Sequence, residues 1–86
     1  MQAYRSLSVI SRDIVRDWTR VNYAAKPYLS AMQTMGGIEE NYGYDSGRSV
    51  VMYFLANAST WRGPVAKQIK AELKAMVDGK PVKIAA

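Results

Sequence analysis

The strongest constraint on the fold is a pair of helical stretches that meet at Gly63 and Pro64. We expect Asp45 to cap the first stretch, because its carboxylate can accept hydrogen bonds from the free N–H groups of a first helical turn. That stretch contains no proline, and nearly all its positions are apolar or small, which is typical of a helix buried among others. Gly63 suits the end of one helix, and Pro64 suits the start of the next. The sequence therefore predicts helices over residues 46–61 and 64–78, with the rest of the chain packed on the first of them.

Two further helices are predicted in the first half of the chain. Apolar residues recur there at spacings of three and four, which indicates a core-facing helical stripe. These residues are Leu7, Ile10, Ile14, Trp18 and Val21. A second, shorter pattern follows and stops at two consecutive glycines. We predict helices over about residues 6–21 and 25–35, then an irregular loop to residue 44. No period-two run of β-branched residues predicts a strand.

Four helices with short connections predict an all-α fold, a compact irregular bundle. Residues 1–86 are expected to form a single all-α domain, with residues 80–86 a flexible tail. The longest uncharged run, residues 49–61, is too short to span a bilayer. The first residues lack a continuous apolar segment of signal-peptide length. We therefore expect a cytoplasmic protein with no membrane association.

Composition removes several classes of chemistry. The chain has no cysteine and no histidine, so the usual zinc sites and the Ser–His and Cys–His nucleophile systems are absent. No nucleotide-binding glycine motif is present. We expect no enzymatic activity, no metal and no cofactor. The net charge is +5, from 12 Lys and Arg against 7 Asp and Glu, which favours anionic partners.

The predicted loop contains the first candidate surface. Tyr42 and Tyr44 lie in it and Arg48 follows it, and exposed tyrosines commonly contact partner proteins. Tyrosines beside a glycine also suit a compact loop, and the two interpretations have equal weight. The oxygen-rich residues of this loop do not follow the spacing of a calcium-binding loop, so helix capping and solvation explain them better.

A second candidate surface is a stripe of arginines, Arg12, Arg16 and Arg20, at positions i, i+4 and i+8 of the first predicted helix. Like charges at this spacing destabilise a helix by a few tenths of a kcal/mol each. Asp13 and Asp17 lie three residues before Arg16 and Arg20 and are expected to offset much of this repulsion. An ordinary solvated helix face is therefore favoured over a binding surface.

The last helix carries a third candidate, the lysines Lys67, Lys70 and Lys74. Lysines along one helix face could contact a phosphate backbone. Residues 50–77 also have the layout of a helix-turn-helix, whose second helix would enter the major groove. Most helical hairpins with a glycine at the turn bind no DNA, however, and Pro64 is unusual for the motif. Nucleic-acid binding is therefore the alternative hypothesis, and a solvated helix face is the simpler interpretation.

The overall layout resembles a group of small uncharacterised proteins encoded by bacteriophages and mobile elements. The resemblance extends to about Met76 and is carried by Tyr4-Arg5-Ser6-Leu7, Asp17-Trp18, Ala31-Met32, Tyr44-Asp45-Ser46-Gly47 and Leu55-Ala56-Asn57-Ala58-Ser59-Thr60-Trp61-Arg62-Gly63, followed by a Lys-rich helix. It carries no catalytic motif. It implies an accessory protein in the cytoplasm of an infected bacterium. The leading hypothesis is a small non-enzymatic interaction protein that binds and modulates a host or phage protein, or assembles with itself.

Overall fold

The computed structural model describes residues 4–79 and has four α-helices around one apolar core. The helices are α1 Leu7–Asp17, α2 Lys26–Met32, α3 Gly47–Ala56 and α4 Pro64–Asp78. Helix α3 packs against α2 and α4, and α1 packs against α2 and α4. The predicted all-α class with four helices is confirmed. No helix within these residues has the length and apolar content that a bilayer crossing requires.

The core collects apolar side chains from all four helices and from the connections between them. The largest side chains that are fully buried are Leu7, Ile10, Ile14, Met32, Val51, Phe54, Leu73 and Met76. Trp18 and Trp61 are also buried, although both lie outside the helices. Their rings stack at 5.7 Å with an interplanar angle of 9°, and Phe54 meets Trp18 edge-on at 6.1 Å. This aromatic cluster joins the end of α1 to α3 and to the start of α4.

Helix α1 begins as expected and ends early. Ser6 caps it, since its hydroxyl accepts a hydrogen bond from the backbone N–H of Val9 at 3.2 Å. The prediction that this helix continues to residue 21 is wrong, because Trp18 leaves the helical conformation with φ −95° and ψ 84°. The apolar spacing continues past the end of the helix because Trp18 is buried in the aromatic cluster although its backbone is not helical.

Helix α2 is also shorter than the predicted range of residues 25–35. Beyond Met32 the backbone N–H groups of Thr34 and Met35 donate to carbonyls three residues earlier, at 3.1 Å each. Such i→i−3 bonds mark a chain that tightens into turns at a helix end. Met35 nevertheless remains buried, which explains why the apolar pattern overestimated the helix.

Helix α3 differs from its prediction at both ends. Its cap is Ser46, whose hydroxyl accepts from the N–H of Ser49 at 3.1 Å, so the assignment of Asp45 as the cap is wrong. The helix ends at Ala56, five residues before the predicted end, and Asn57 closes it by donating from Nδ2 to the carbonyl of Tyr53 at 2.8 Å. Residues 57–63 then form the connection to α4.

The segment between α2 and α3 and the last helix complete the fold. The loop predicted without strands contains a short antiparallel hairpin of β1 Asn41–Tyr42 and β2 Asp45–Ser46, which is a correction. The bounds of α4 agree with the predicted range of residues 64–78. The predicted tail, residues 80–86, lies outside the described residues.

Candidate interaction surfaces

The hairpin presents two tyrosines to solvent, and we call residues 41–46 the tyrosine hairpin. Tyr42 lies opposite Asp45 in the strand pair, and Gly43 supplies the positive φ of 65° in the two-residue turn. Tyr44, the second turn residue, is fully exposed (110%), and Tyr42 is half-exposed (51%). The structure thus brings the two predicted tyrosines to the tip and side of one ordered element.

The base of the tyrosine hairpin is fixed to the body of the protein by hydrogen bonds. The N–H of Gly47 donates to the carbonyl of Glu40 at 2.6 Å, and the N–H of Arg48 donates to the carbonyl of Ile38 at 3.0 Å. The Glu40 carboxylate accepts from the N–H of Gly36 at 2.8 Å. Ile38 packs against the core. These contacts attach both strands at the start of α3, so the backbone that carries the exposed tyrosines has a defined position.

Arg48, the third predicted member of this surface, has a structural contact. Its guanidinium donates to the carbonyl of Val77, in the last turn of α4. A cation at a helix C-terminus interacts favourably with the partial negative charge there. Arg48 therefore links the start of α3 to the end of α4, and this structural role explains the residue without a binding partner.

The predicted arginine stripe is interrupted. Arg12 and Arg16 lie exposed on α1, but Arg20 follows the end of that helix and leaves its spacing. The expected local ion pairs are absent as well. Asp13 binds Arg5 at 2.7 Å, and Asp17 accepts from the indole N–H of Trp61 at 2.8 Å.

This redistribution leaves the arginines without carboxylate partners. Between residues 4 and 79, both ion pairs are made by Arg5, with Asp13 and with Glu72. Arg12, Arg16 and Arg20 therefore have no carboxylate oxygen within 4.0 Å in this part of the chain. The local ion pairs expected to offset the repulsion are therefore not formed, while the exposed arginines remain compatible with an ordinary solvated face.

Arg12 and Arg16 line an open groove between α1 and the end of α2, and we call this the arginine groove. Its volume is about 460 Å³, within the range of small-ligand and peptide sites. The lining residues are Ser8, Ser11, Arg12, Val15, Arg16 and Gln33. Two guanidinium groups one helical turn apart, with hydroxyl and amide groups beside them, match the chemistry of carboxylates or phosphates. Sequence spacing did not reveal Ser8, Ser11 or Gln33 as lining residues, because the groove forms only when α2 packs on α1.

The lysine stripe on α4 is also interrupted. Lys67 and Lys74 are exposed, but the ammonium of Lys70 donates to the carbonyl of Trp61 at 2.6 Å and lies 5.9 Å from the centre of that indole ring. Burial lowers the pKa of Lys70, and the positive charge of Arg62 lowers it further. The side chain of Lys70 therefore lies over Trp61 and does not extend into solvent, where it could contact a phosphate backbone.

The helix-turn-helix layout fits the structure poorly. Such motifs join their helices through a turn of three or four residues. Here α3 ends at Ala56 and α4 begins at Pro64, and the intervening segment buries Ala58 and Trp61 in the core. The connection is therefore a packed part of the core.

The main polar cluster that sequence reasoning missed is an ion-pair network at Arg5. Its Nε and Nη2 atoms donate to the two carboxylate oxygens of Glu72 at 2.9 and 2.7 Å, and Nη1 donates to Asp13 at 2.7 Å. Glu72 is only 9% exposed. The hydrogen bonds to Glu72 and Asp13 raise the pKa of Arg5, which stays charged at any physiological pH. The sequence did indicate that Glu72 lies on the apolar face of α4, because it comes three residues after Ile69 and four residues before Met76, both of which are buried.

Among residues 4–79, no three histidine, cysteine, aspartate or glutamate side chains are placed together to hold a metal ion. Glu39 and Asp45 are exposed, and the Glu40 carboxylate accepts a hydrogen bond from the N–H of Gly36.

No family model, no curated protein and no solved structure matches this chain.

Proposed function

We propose that this protein is a small non-enzymatic interaction protein that binds another protein molecule, a different protein or a second copy of itself, through the tyrosine hairpin. The observation that carries the proposal is the exposure of Tyr44 and Tyr42 on an element whose base is hydrogen-bonded to the body of the protein. Aromatic side chains on an anchored backbone contribute large contact areas, and no loop has to be ordered when they bind. As part of the same proposal, the protein is a phage or mobile-element accessory factor that modulates a host protein in the bacterial cytoplasm.

Three features support the proposal. The absence of histidine and cysteine removes the commonest acid–base and nucleophilic groups. The tyrosines have no core role, since Tyr44 is entirely outside the packed interior. Nucleic-acid binding through α4, the alternative, loses Lys70 to its contacts with Trp61 and retains only Lys67 and Lys74 of its three lysines.

The test is binding by the double variant Tyr42→Ala/Tyr44→Ala. Immobilised wild-type protein would capture partners from bacterial lysate, and each captured protein would be identified, purified and titrated. Loss of two central aromatic contacts typically costs 2 kcal/mol or more, so we expect affinity to fall at least about 30-fold. Circular dichroism would confirm that the variant retains its helices.

Tyr23→Ala is the matched control. Tyr23 is 86% exposed and lies in the short 3-10 turn Tyr23–Ala25, away from the hairpin in the chain. We expect this variant to bind as the wild type does. If the hairpin variant keeps wild-type affinity while folded, the tyrosine hairpin is not the binding surface. Anisotropy titrations with labelled DNA and RNA would test the alternative, through the effect of Lys67→Glu/Lys74→Glu.

A further inference from the structure

The hairpin region is the acidic part of an otherwise basic molecule. Residues 27–47 contain Glu39, Glu40 and Asp45 and no lysine or arginine, whereas the whole chain has a net charge of +5. Glu40 is held at the N–H of Gly36. The carboxylates of Glu39 and Asp45 are exposed and have no hydrogen-bonding or ionic partner within residues 4–79. Two available carboxylates therefore flank the two exposed tyrosines.

The arginine groove has the opposite character. Arg12 and Arg16 lie one turn apart on α1 with no carboxylate partner in the described chain, and like charges at this spacing are unfavourable. Val15 gives the groove an apolar surface, and Gln33 adds a polar amide. An acidic segment that also carries exposed aromatic rings matches both the charge and the partly apolar lining.

The groove and the hairpin segment are neighbours on the molecule. The N–H of Ser8, a groove residue, donates to the carbonyl of Met35 at 2.9 Å, and the N–H of Leu7 donates to that of Gly36 at 3.2 Å. The chain then proceeds from Gly36 directly into the acidic segment. Two complementary patches that adjoin each other can pair reciprocally across a two-fold axis, which closes a dimer.

We infer that the arginine groove is the binding site for the tyrosine hairpin of a second copy of this chain. In the dimer each hairpin occupies the partner's groove, where Glu39 and Asp45 neutralise Arg12 and Arg16 and the tyrosines pack beside Val15. Guanidinium–carboxylate contacts of this kind combine charge with two hydrogen bonds and fix orientation. The inference rests on the proposed function, because it names the partner that the hairpin contacts.

The contact is small and electrostatic, so we expect a weak, salt-sensitive dimer. Interfaces below about 1,200 Å² are typical of transient association, and exposed ion pairs are screened as ionic strength rises. Sedimentation equilibrium of the wild type should show a weight-average mass above the monomer's 9.6 kDa, rising with protein concentration. That rise should shrink between about 50 and 300 mM salt.

Charge reversal tests the pairing directly. Arg12→Glu/Arg16→Glu makes the groove acidic, and Glu39→Lys/Asp45→Lys makes the hairpin basic. Each variant alone pairs like with like charges, so each should remain monomeric at concentrations where the wild type is dimeric. Their equimolar mixture restores opposite charges at both contacts of the dimer, and its mass should return to that of the wild type.

Lys67→Glu/Lys74→Glu is the matched control for net charge. It replaces two cations by two anions, as the groove variant does, and takes the net charge from +5 to +1 in both cases. Both lysines are exposed on α4 with no ionic or hydrogen-bonding contact in residues 4–79. We expect this control to dimerise at least as well as the wild type.

Several outcomes would overturn the inference. One is a wild type that stays monomeric at all concentrations, and another is a dimer that the groove variant leaves intact. A third is a mixture of the two charge-reversed variants that does not associate although both are folded by circular dichroism. Capture of a different protein that depends on Tyr42 and Tyr44, by a protein that stays monomeric, would refute self-association and leave the proposed function standing.

Discussion

Replacing Gly47 by alanine tests how the tyrosine hairpin is attached to the fold. Gly47 is the first residue of α3, and alanine is more favourable than glycine in a helix by about 0.5–1 kcal/mol. Local propensity therefore predicts that Gly47→Ala stabilises the protein. The structure predicts the opposite, because an added Cβ would lie 2.6 Å from the carbonyl oxygen of Gly37 and 2.7 Å from the Cα of Ile38. Both are backbone atoms, which cannot rotate away as a side chain can.

The size of the effect follows from what must move. Ordinary contact begins at 3.4 Å, so the backbone at Gly37 and Ile38 must move by about 0.7–0.8 Å, and Ile38 is packed against the core. The same shift would stretch the hydrogen bonds that join Gly47 to Glu40 and Arg48 to Ile38. Overpacking typically costs about 1–3 kcal/mol, and each weakened hydrogen bond adds about 0.5–1.5 kcal/mol. After the gain in propensity, we expect a net loss of about 1–5 kcal/mol. Each kcal/mol lost should lower Tm by roughly 4–8 °C.

The assay is urea unfolding followed by circular dichroism, with Gly37→Ala as the matched control. A Cβ at Gly37 meets no atom within 4 Å, and its φ does not require glycine, so we expect a change of no more than about 0.5 kcal/mol. A Gly47→Ala protein as stable as the wild type, or more stable, would refute the close approach between α3 and the hairpin base.

Three further substitutions probe contacts elsewhere in the fold. Arg5→Met should lower the free energy of unfolding by about 2–3 kcal/mol in urea titrations, because it leaves the buried Glu72 carboxylate uncompensated. Replacing both Arg5 and Glu72 by methionine should lower it by less, because no unpaired charge remains buried. Lys70→Met should remove a pH dependence of stability. Burial lowers the pKa of Lys70 in the folded state, so between that lowered pKa and the unfolded value of 10.5 the unfolded chain holds more protons than the folded one. Stability of the wild type therefore rises with pH across this window and is independent of Lys70 below it. Unfolding measured at several pH values would show a smaller rise in the variant. Trp61→Phe should cost about 2 kcal/mol through loss of packing and of the indole donor to Asp17, and should reduce the near-UV circular dichroism signal.

Helix positions followed from the sequence where local signals and tertiary packing agree. Pro64 begins α4 as expected, and Gly79 ends it in the left-handed conformation with φ 69°, in agreement with the predicted end at residue 78. The ends of α1 and α3 were overestimated because apolar spacing reports burial and does not report backbone hydrogen bonding. Trp18 and Trp61 continue the helical spacing, yet the core takes both from irregular segments.

The interaction surfaces were only partly predictable. Tyr42 and Tyr44 could be identified from composition alone, since two tyrosines in a polar, glycine-containing loop have few ways to be buried. The hairpin itself could not, because its two-residue strands are shorter than any periodic pattern, and its register depends on bonds to α3. Whether the tyrosines contact a partner, as the sequence suggested, stays a prediction.

The arginines of the arginine groove are unpaired because Asp13 and Asp17 bind other groups. Local spacing assigned Asp13 and Asp17 to neighbouring arginines on the same helix. In the fold, Asp13 binds Arg5 and Asp17 binds the Trp61 indole, a group 44 residues away in the chain. The Asp17 contact satisfies the indole N–H of buried Trp61, and Asp13 joins an Arg5 guanidinium that is already held by buried Glu72, whereas exposed i, i+3 pairs contribute only a few tenths of a kcal/mol. The interactions that hold the N-terminal segment and the aromatic cluster in place therefore also leave α1 with an uncompensated basic face. The same two aspartate contacts stabilise the fold and leave the arginines of α1 unpaired. Neither effect could be predicted from the sequence of α1 alone, because the partners lie outside that helix.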